Sequence, residues 1–330
     1  MKISVIGAGG WGTALSIQAS CKNDVKLWVY SKEELDVILD NQRENIYYLP
    51  GVRIPEKIKL TVDVKEATDG EILIFAVPSK YFRNVVREFA SFIKKDQILV
   101  SATKGLEFPH QKRMSEILKE EVRTKNPVVV ISGPSHAEEV SRNIPTSIVS
   151  ASKSEKAARI VQEALSTESF RLYRHCDVVG VELAGALKNV IAIAAGMIRG
   201  FGLGDNTMAA LITRGLAEIR RVGVKLGGRI ETFAGLAGIG DLIVTCMSKH
   251  SRNGKVGELL AKGETLNEIV SKMKMVAEGV ETARSIPVLQ SRLRIEMPIS
   301  NMVYEILYQN VKPEVGLKSL MLRPLKHEYL

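Results

Sequence analysis

A short apolar run, Lys2–Ile6, leads straight into Gly7-Ala8-Gly9-Gly10-Trp11-Gly12, and residues 13–21 then carry a helical pattern. Strand, G-x-G-x-x-G turn and helix in that order leave few folds open, because each glycine meets a separate physical demand. Gly7 permits a tight turn, Gly9 lets the backbone approach a pyrophosphate, and Gly12 lets the helix pack closely on the strand. Free N–H groups and a partial positive charge at the start of the helix complete an anion site. A second strand at residues 25–30 closes a βαβ unit, the half-module of a dinucleotide-binding domain.

That second strand ends Val29-Tyr30-Ser31-Lys32, and the first acids, Glu33 and Glu34, open the next helical pattern. An NAD-specific site usually ends this strand in Asp or Glu, which binds the ribose 2′-hydroxyl. With that acid missing and Ser31 and Lys32 nearby, a 2′-phosphate is tolerated, so NADP(H) is expected to be accepted. Strands at residues 71–77, 98–102, 127–131, 146–151 and 170–173 continue the α/β alternation. Ligands in an open α/β sheet sit beyond the carboxyl ends of the strands. Lys104, in Thr103-Lys104-Gly105, and the Gly133-Pro134-Ser135 turn are placed there. Lys104 can hold a phosphate or carbonyl oxygen, or be a solvated turn lysine. Gly133 and Ser135 can offer a backbone N–H and a hydroxyl, or simply shape a turn.

Near Cys176 the alternation stops and helical patterns take over, at residues 181–198, 207–226, 255–262, 266–273, 280–292 and 299–308. The chain therefore divides into an α/β Rossmann-type domain over residues 1–178 and an all-α domain over residues 179–330. The first of these helices reads VELAGALKNVIAIAAGMI and carries one charge after Glu182, that of Lys188. Small and apolar residues recur around Lys188 at helical spacing, so the helix is expected to be buried almost all round and too short to span a bilayer. A buried ammonium must be paired, face a polar cleft or lose its proton. Such settings suit a lysine that moves protons; the alternative is a lysine snorkelling from a helix end.

Farther on, Gly238-Ile239-Gly240-Asp241 and residues 248–254 read as one polar loop. Asp241 can orient a lysine or form an Asx turn. Ser251, Arg252 and Asn253, ahead of a helix, suit an anion or an ordinary cap. His250 reads as a solvated loop histidine.

The net charge of +9 is spread along the chain, which suits small anionic ligands and leaves nucleic acid possible in principle, though no nucleic-acid partner is expected. Cys21, Cys176 and Cys246 are too far apart for a disulfide framework or a metal site. Met1 runs directly into the first strand, leaving no room for a targeting peptide, so a cytoplasmic protein without membrane insertion is expected.

Taken together, GAGGWGTAL, SATKGLE, SGPSHAEE, ELAGALKNVIAIAAGM, ITRGLAEI, AGIGDLIVTC and SRN resemble, in that order, the soluble bacterial NAD(P)-dependent glycerol-3-phosphate dehydrogenases. The resemblance runs from Met1 through Tyr308. It implies a Rossmann domain followed by an all-α domain like the C-terminal part of 6-phosphogluconate dehydrogenase, and a homodimer. It also implies interconversion of dihydroxyacetone phosphate and sn-glycerol 3-phosphate with NADP(H) or NAD(H), supplying phospholipid synthesis. Carried over residue by residue, the proton acceptor falls on Lys188, with Lys104 and Asp241 beside it. Substrate contacts fall on Lys104, Gly133, Ser135, Lys188, Asp241, Ser251, Arg252 and Asn253. Nucleotide contacts fall on Gly10, Trp11, Tyr30, Lys104, Ala137, Arg252, Val276 and Glu278, beside the turn glycines Gly7, Gly9 and Gly12. Two rivals stay open: a β-hydroxyacid dehydrogenase or ketopantoate reductase, whose substrates carry a carboxylate, and a non-enzymatic NAD(P)H sensor, which would need the glycine turn but not Lys188 and Asp241 together.

Overall fold

A computed structural model describes residues 1–273, 275–325 and 327–328. Ten strands occur among them: β1 (Lys2–Ile6), β2 (Asp24–Trp28), β3 (Lys59–Thr61), β4 (Ile72–Phe75), β5 (Ile98–Ser101), β6 (Leu106–Glu107), β7 (Lys112–Arg113), β8 (Val128–Ser132), β9 (Thr146–Ser152) and β10 (Phe170–His175). Eight form one sheet in the order β10-β9-β8-β5-β4-β1-β2-β3, and β6 and β7 form a small hairpin. The sheet is parallel except between β8 and β9, so β9 and β10 run opposite to the rest. Chain order reverses between β1 and β4, which opens a crevice at their carboxyl ends. Central strands such as Ile72–Phe75 and Ile98–Ser101 are buried throughout because helices cover both faces. Apolar clusters fill the two sides, one around Ile3, Val5 and Leu15, the other around Phe75, Phe82 and Phe89.

Several boundaries differ from the sequence reading. The helix after the glycine turn spans Gly10–Ala19, so it starts inside the glycine run. Strand β2 stops at Trp28, leaving Val29 and Tyr30 outside it. Residues 280–292 form two helices, Glu278–Ala283 and Ile286–Leu293, since Pro287 has no N–H to continue the ladder and can only begin a helix. The stretch read as one polar loop contains the helix Asp241–Met247. A wide turn at Leu236–Gly240 leads into it, and its glycines mask the helical pattern.

The lysine-bearing helix spans Val178–Gly200 and is buried along nearly its whole length. It is longer than its sequence pattern suggested: by length and composition it could cross a membrane, yet 89% of its most apolar window is buried within this protein. Its amino end packs on the sheet through Val178 and Val181 against Val130, Val149 and Ala151. Glu182 ties it to the α/β half, accepting from Arg113 Nη1 at 2.8 Å, from Ser115 N at 2.8 Å and from Ser115 Oγ at 2.5 Å. Its far end is the centre of the helical core, with Ile191, Ala195 and Ile198. The helix Arg252–Ala261 lies directly against it, close enough that a Cβ on Gly257 would fall 1.9 Å from Ile193 O. This contact brings residues 251–253 beside Lys188.

Candidate active site

A cleft of about 730 Å³ runs between the carboxyl ends of the strands and the helical half, within the ~300–1,000 Å³ typical of small-ligand sites. Gly7, Gly9, Gly10 and Trp11 form one wall. Gly7 sits at φ +111°, a left-handed conformation that favours glycine. A Cβ on Gly12 would lie 1.9 Å from Gly7 O, so the helix reaches the strand only without a side chain there. A Cβ on Gly9 would meet open space, as the approach of a ligand requires. Among the described residues no side chain caps this helix, and Trp11 Nε1 is a buried donor without a partner. An uncapped helix start, an open backbone and an unclaimed donor fit an anionic dinucleotide.

On the opposite wall Lys188 and Lys104 share one carboxylate. Lys188 Nζ lies 3.1 Å from Asp241 Oδ1, and Lys104 Nζ lies 2.8 Å from Asp241 Oδ2. Asp241 is the first residue of its helix, which aims the carboxylate inward and rules out the Asx-turn reading. Lys104 also donates to Gly133 O at 2.7 Å and to Ser135 Oγ at 3.2 Å. Lys188 donates to Thr245 Oγ1 at 2.5 Å, and that hydroxyl in turn donates to Asp241 O at 2.6 Å. With two partners, Lys188 keeps one position open while lining the cleft. Burial lowers its pKa to about 8, and the charge of Lys104 works in the same direction. The Asp241 carboxylate opposes the shift by favouring the ammonium. The group can therefore give or take a proton near neutrality.

Ser135, Ala137, Ser251, Arg252, Asn253, Val276, Glu278 and Tyr30 all line the same cleft. Ser251 caps the helix Arg252–Ala261, accepting from Gly254 N at 3.1 Å, and Arg252 stands exposed at its first turn. Asn253 spends part of its amide on structure: Oδ1 accepts from Gly279 N at 2.8 Å and Nδ2 donates to Asn189 Oδ1 at 3.0 Å. Glu278 accepts from Ser79 N at 2.9 Å and from Ser79 Oγ, reaching across the cleft, and burial raises its pKa. Tyr30 is exposed and packs edge-on to Trp28. Two expected residues lie behind the wall. Gly12 supports the turn from below, and Gly133 offers its carbonyl to Lys104, while a Cβ on it would meet Ile148 Cα at 2.9 Å.

Sequence reasoning missed four groups. Thr245 would have been found had residues 241–247 been read as a helix, since it lies one turn beyond Asp241. Asn189, next to Lys188, links Lys104 O at 3.1 Å to the Asn253 amide. Tyr48 donates to Glu34 Oε1 at 3.0 Å above the glycine turn. His136 lines the cleft beside His250, which is exposed as expected yet sits at the cleft rather than away from it.

Known proteins resemble this chain along its whole length. The description "NAD-dependent glycerol-3-phosphate dehydrogenase N-terminus" matches residues 2–158, and the corresponding C-terminus description matches residues 177–318. A glycerol-3-phosphate dehydrogenase [NAD(P)+] of Thermoanaerobacter sp. (strain X514) is 50% identical, covering 99% of each chain. One from Chlorobium phaeobacteroides (strain BS1) is 47% identical, again covering 99% of each. The crystal structure of glycerol-3-phosphate dehydrogenase from Coxiella burnetii superposes with a TM-score of 0.93 at 36% identity, covering 98% of this chain and 99% of that one. A ketopantoate reductase from Ralstonia eutropha shares the fold alone, at a TM-score of 0.62 and 13% identity. Matched in both halves and along its full length, the chain belongs to the NAD-dependent glycerol-3-phosphate dehydrogenase family.

Proposed function

We propose that the cleft interconverts dihydroxyacetone phosphate and sn-glycerol 3-phosphate, with Lys188 as the group that moves the proton. The observation that carries this reading is the shared carboxylate: two lysines on Asp241, one of them with a position to spare. The activity class, an NAD(P)-dependent oxidoreductase, comes with the family.

The bound nicotinamide would supply or accept the hydride. Gly9, Gly10 and Trp11 would hold the pyrophosphate, and Tyr30, Ala137, Val276 and Glu278 would flank the nucleotide. In reduction, protonated Lys188 donates to the oxygen on substrate C2; in oxidation, the neutral amine takes the hydroxyl proton. Asp241 orients the amine. Lys104 steadies the same oxygen by releasing its longest contact, to Ser135 Oγ, which leaves that hydroxyl free for the substrate. Arg252, Ser251 and the second amide proton of Asn253 bind the phosphate and so fix the reacting carbon. Gly12 and Gly133 act through the turns they shape.

The division at residues 178 and 179, a homodimer, and a cytoplasmic role in supplying glycerophospholipid synthesis without membrane insertion belong to the same proposal. Oxidation of NADPH and of NADH, followed by absorbance on adding dihydroxyacetone phosphate or ketopantoate, tests it. Turnover with dihydroxyacetone phosphate alone supports the reading; turnover with ketopantoate alone would transfer the cleft to carboxylate substrates.

A further inference from the structure

Two histidines meet in the cleft and have no part in the steps above. His136 follows Ser135 in the segment after β8, and His250 immediately precedes the helix cap Ser251. Their ring centroids are 5.8 Å apart with the planes at 53°. Both line the cleft with Lys104, Lys188, Ser251 and Arg252. His136 Nε2 lies 3.5 Å from Val244 O, at the limit of a hydrogen bond. His250 is exposed, and its backbone N–H is held by Ser248 Oγ at 3.0 Å. The two rings therefore come from opposite halves of the molecule, each next in the chain to a residue assigned to the substrate.

We propose that His136 and His250 form a proton-gated clamp on the phosphate of the substrate. The inference rests on the phosphate-ester reading of the cleft. Without ligand, burial and the charges of Lys188 and Lys104 hold the His136 imidazole below its usual pKa, opposed by the Val244 carbonyl and by Glu138. A phosphate ester, whose second ionisation lies at about pH 6, arrives as a dianion at neutral pH. That charge next to His136 raises the proton affinity of its imidazole, so a proton from solvent moves onto its ring nitrogen as the substrate binds. The imidazolium then donates a charge-assisted hydrogen bond to a phosphate oxygen. No covalent bond changes, and the proton held by Lys188 is not involved. Arginine at position 136 would bind phosphate at any pH; the His136 imidazole makes retention weaken as pH rises.

The test compares wild type with the double variant His136→Gln/His250→Gln, which keeps hydrogen-bond donors and removes the titrating charge. The ratio of the two KM values for dihydroxyacetone phosphate cancels the ionisation of the substrate itself. A ratio of about tenfold at about pH 6.5 is expected. It should fall toward one by about pH 8.5, with kcat changed less than about threefold. The inhibition constant of inorganic phosphate should rise in parallel. NADH binding followed by fluorescence confirms an intact nucleotide site. His250→Gln alone, at an exposed position, should show a smaller rise with the same pH dependence. An unchanged KM, a ratio that is flat with pH, or a loss confined to kcat overturns the clamp. Wild-type protein that turns over ketopantoate and not dihydroxyacetone phosphate would remove the phosphate-ester reading first, before any histidine variant is compared.

Discussion

Lys188 Nζ lies 3.1 Å from Asp241 Oδ1, with both side chains at 5% exposure or less. The second oxygen of the same carboxylate holds Lys104 Nζ at 2.8 Å. The two lysines nevertheless differ in freedom. Lys104 touches Asp241, Gly133 O and Ser135 Oγ, whereas Lys188 has Asp241 and Thr245 only as partners among the described contacts. The amine with capacity to exchange a proton with a ligand is the one on the long buried helix.

Lys188→Met follows directly as a prediction. Methionine matches the unbranched length and suits a buried site, and Asp241 keeps Lys104 as counter-ion. Turnover should fall by roughly 10²–10⁴-fold, the usual contribution of a general acid–base group. NADPH binding, measured by fluorescence, should persist. Near-normal turnover would exclude Lys188 from the proton transfer.

The helix that carries Lys188 is held to the nucleotide-binding half by Glu182, which is buried and accepts from Arg113 and Ser115. Glu182→Leu would leave the Ser115 N–H and hydroxyl proton without an acceptor in the interior, while Ser115 Oγ still accepts from Arg113 Nη1 at 3.1 Å and Arg113 retains Glu116 at 2.8 Å. A loss of roughly 2–4 kcal/mol is expected from stranding those donors, seen as a lower urea midpoint. An unchanged midpoint would mean that the apolar seam of Val178 and Val181 alone holds the halves together.

Much of this architecture was legible because it rests on local patterns. The Gly7–Gly12 spacing, the alternation through β10 and the apolar run around Lys188 each report a backbone or burial demand that acts within a few residues. Other features depend on distant partners. Nothing near Glu278 signals that Ser79 waits at the start of another helix. Gly133 was read as a donor because turns commonly offer N–H groups; the carbonyl it gives to Lys104, on the neighbouring strand's loop, and the Ile148 backbone beneath it depend on distant residues. The helix Asp241–Met247 was hidden by Gly238 and Gly240, whose low helical preference is overridden by packing against the lysine-bearing helix.

Cofactor choice depends on the segment after β2. Ser31 caps the helix Lys32–Asp40, with its hydroxyl accepting from Glu34 N at 3.2 Å, and Lys32 is exposed at the first position. Lys32→Glu keeps the cap and reverses the charge. Catalytic efficiency with NADPH should drop about tenfold through repulsion of the 2′-phosphate, with NADH changed less than about twofold. Parallel assays with the two cofactors measure this, and equal losses with both would place Lys32 outside the 2′ site.

The last prediction concerns pH. Burial disfavours the Lys188 ammonium and brings its pKa down to about 8, while Asp241 restrains that fall. Reduction needs the protonated lysine, so kcat in that direction should be level at lower pH and decline as pH rises through about 8. Oxidation needs the neutral amine and should rise through the same range. Asp241→Asn preserves the volume and removes the charge that favours the ammonium, leaving desolvation and the Lys104 charge unopposed. The Lys188 pKa should then fall further, and both pH profiles should move to lower pH. Reading kcat separates this from the histidine clamp, which acts on KM. A variant profile that keeps the wild-type midpoint would show that Asp241 positions Lys188 without setting its charge. A midpoint displaced upward would show that the proton belongs to a different group.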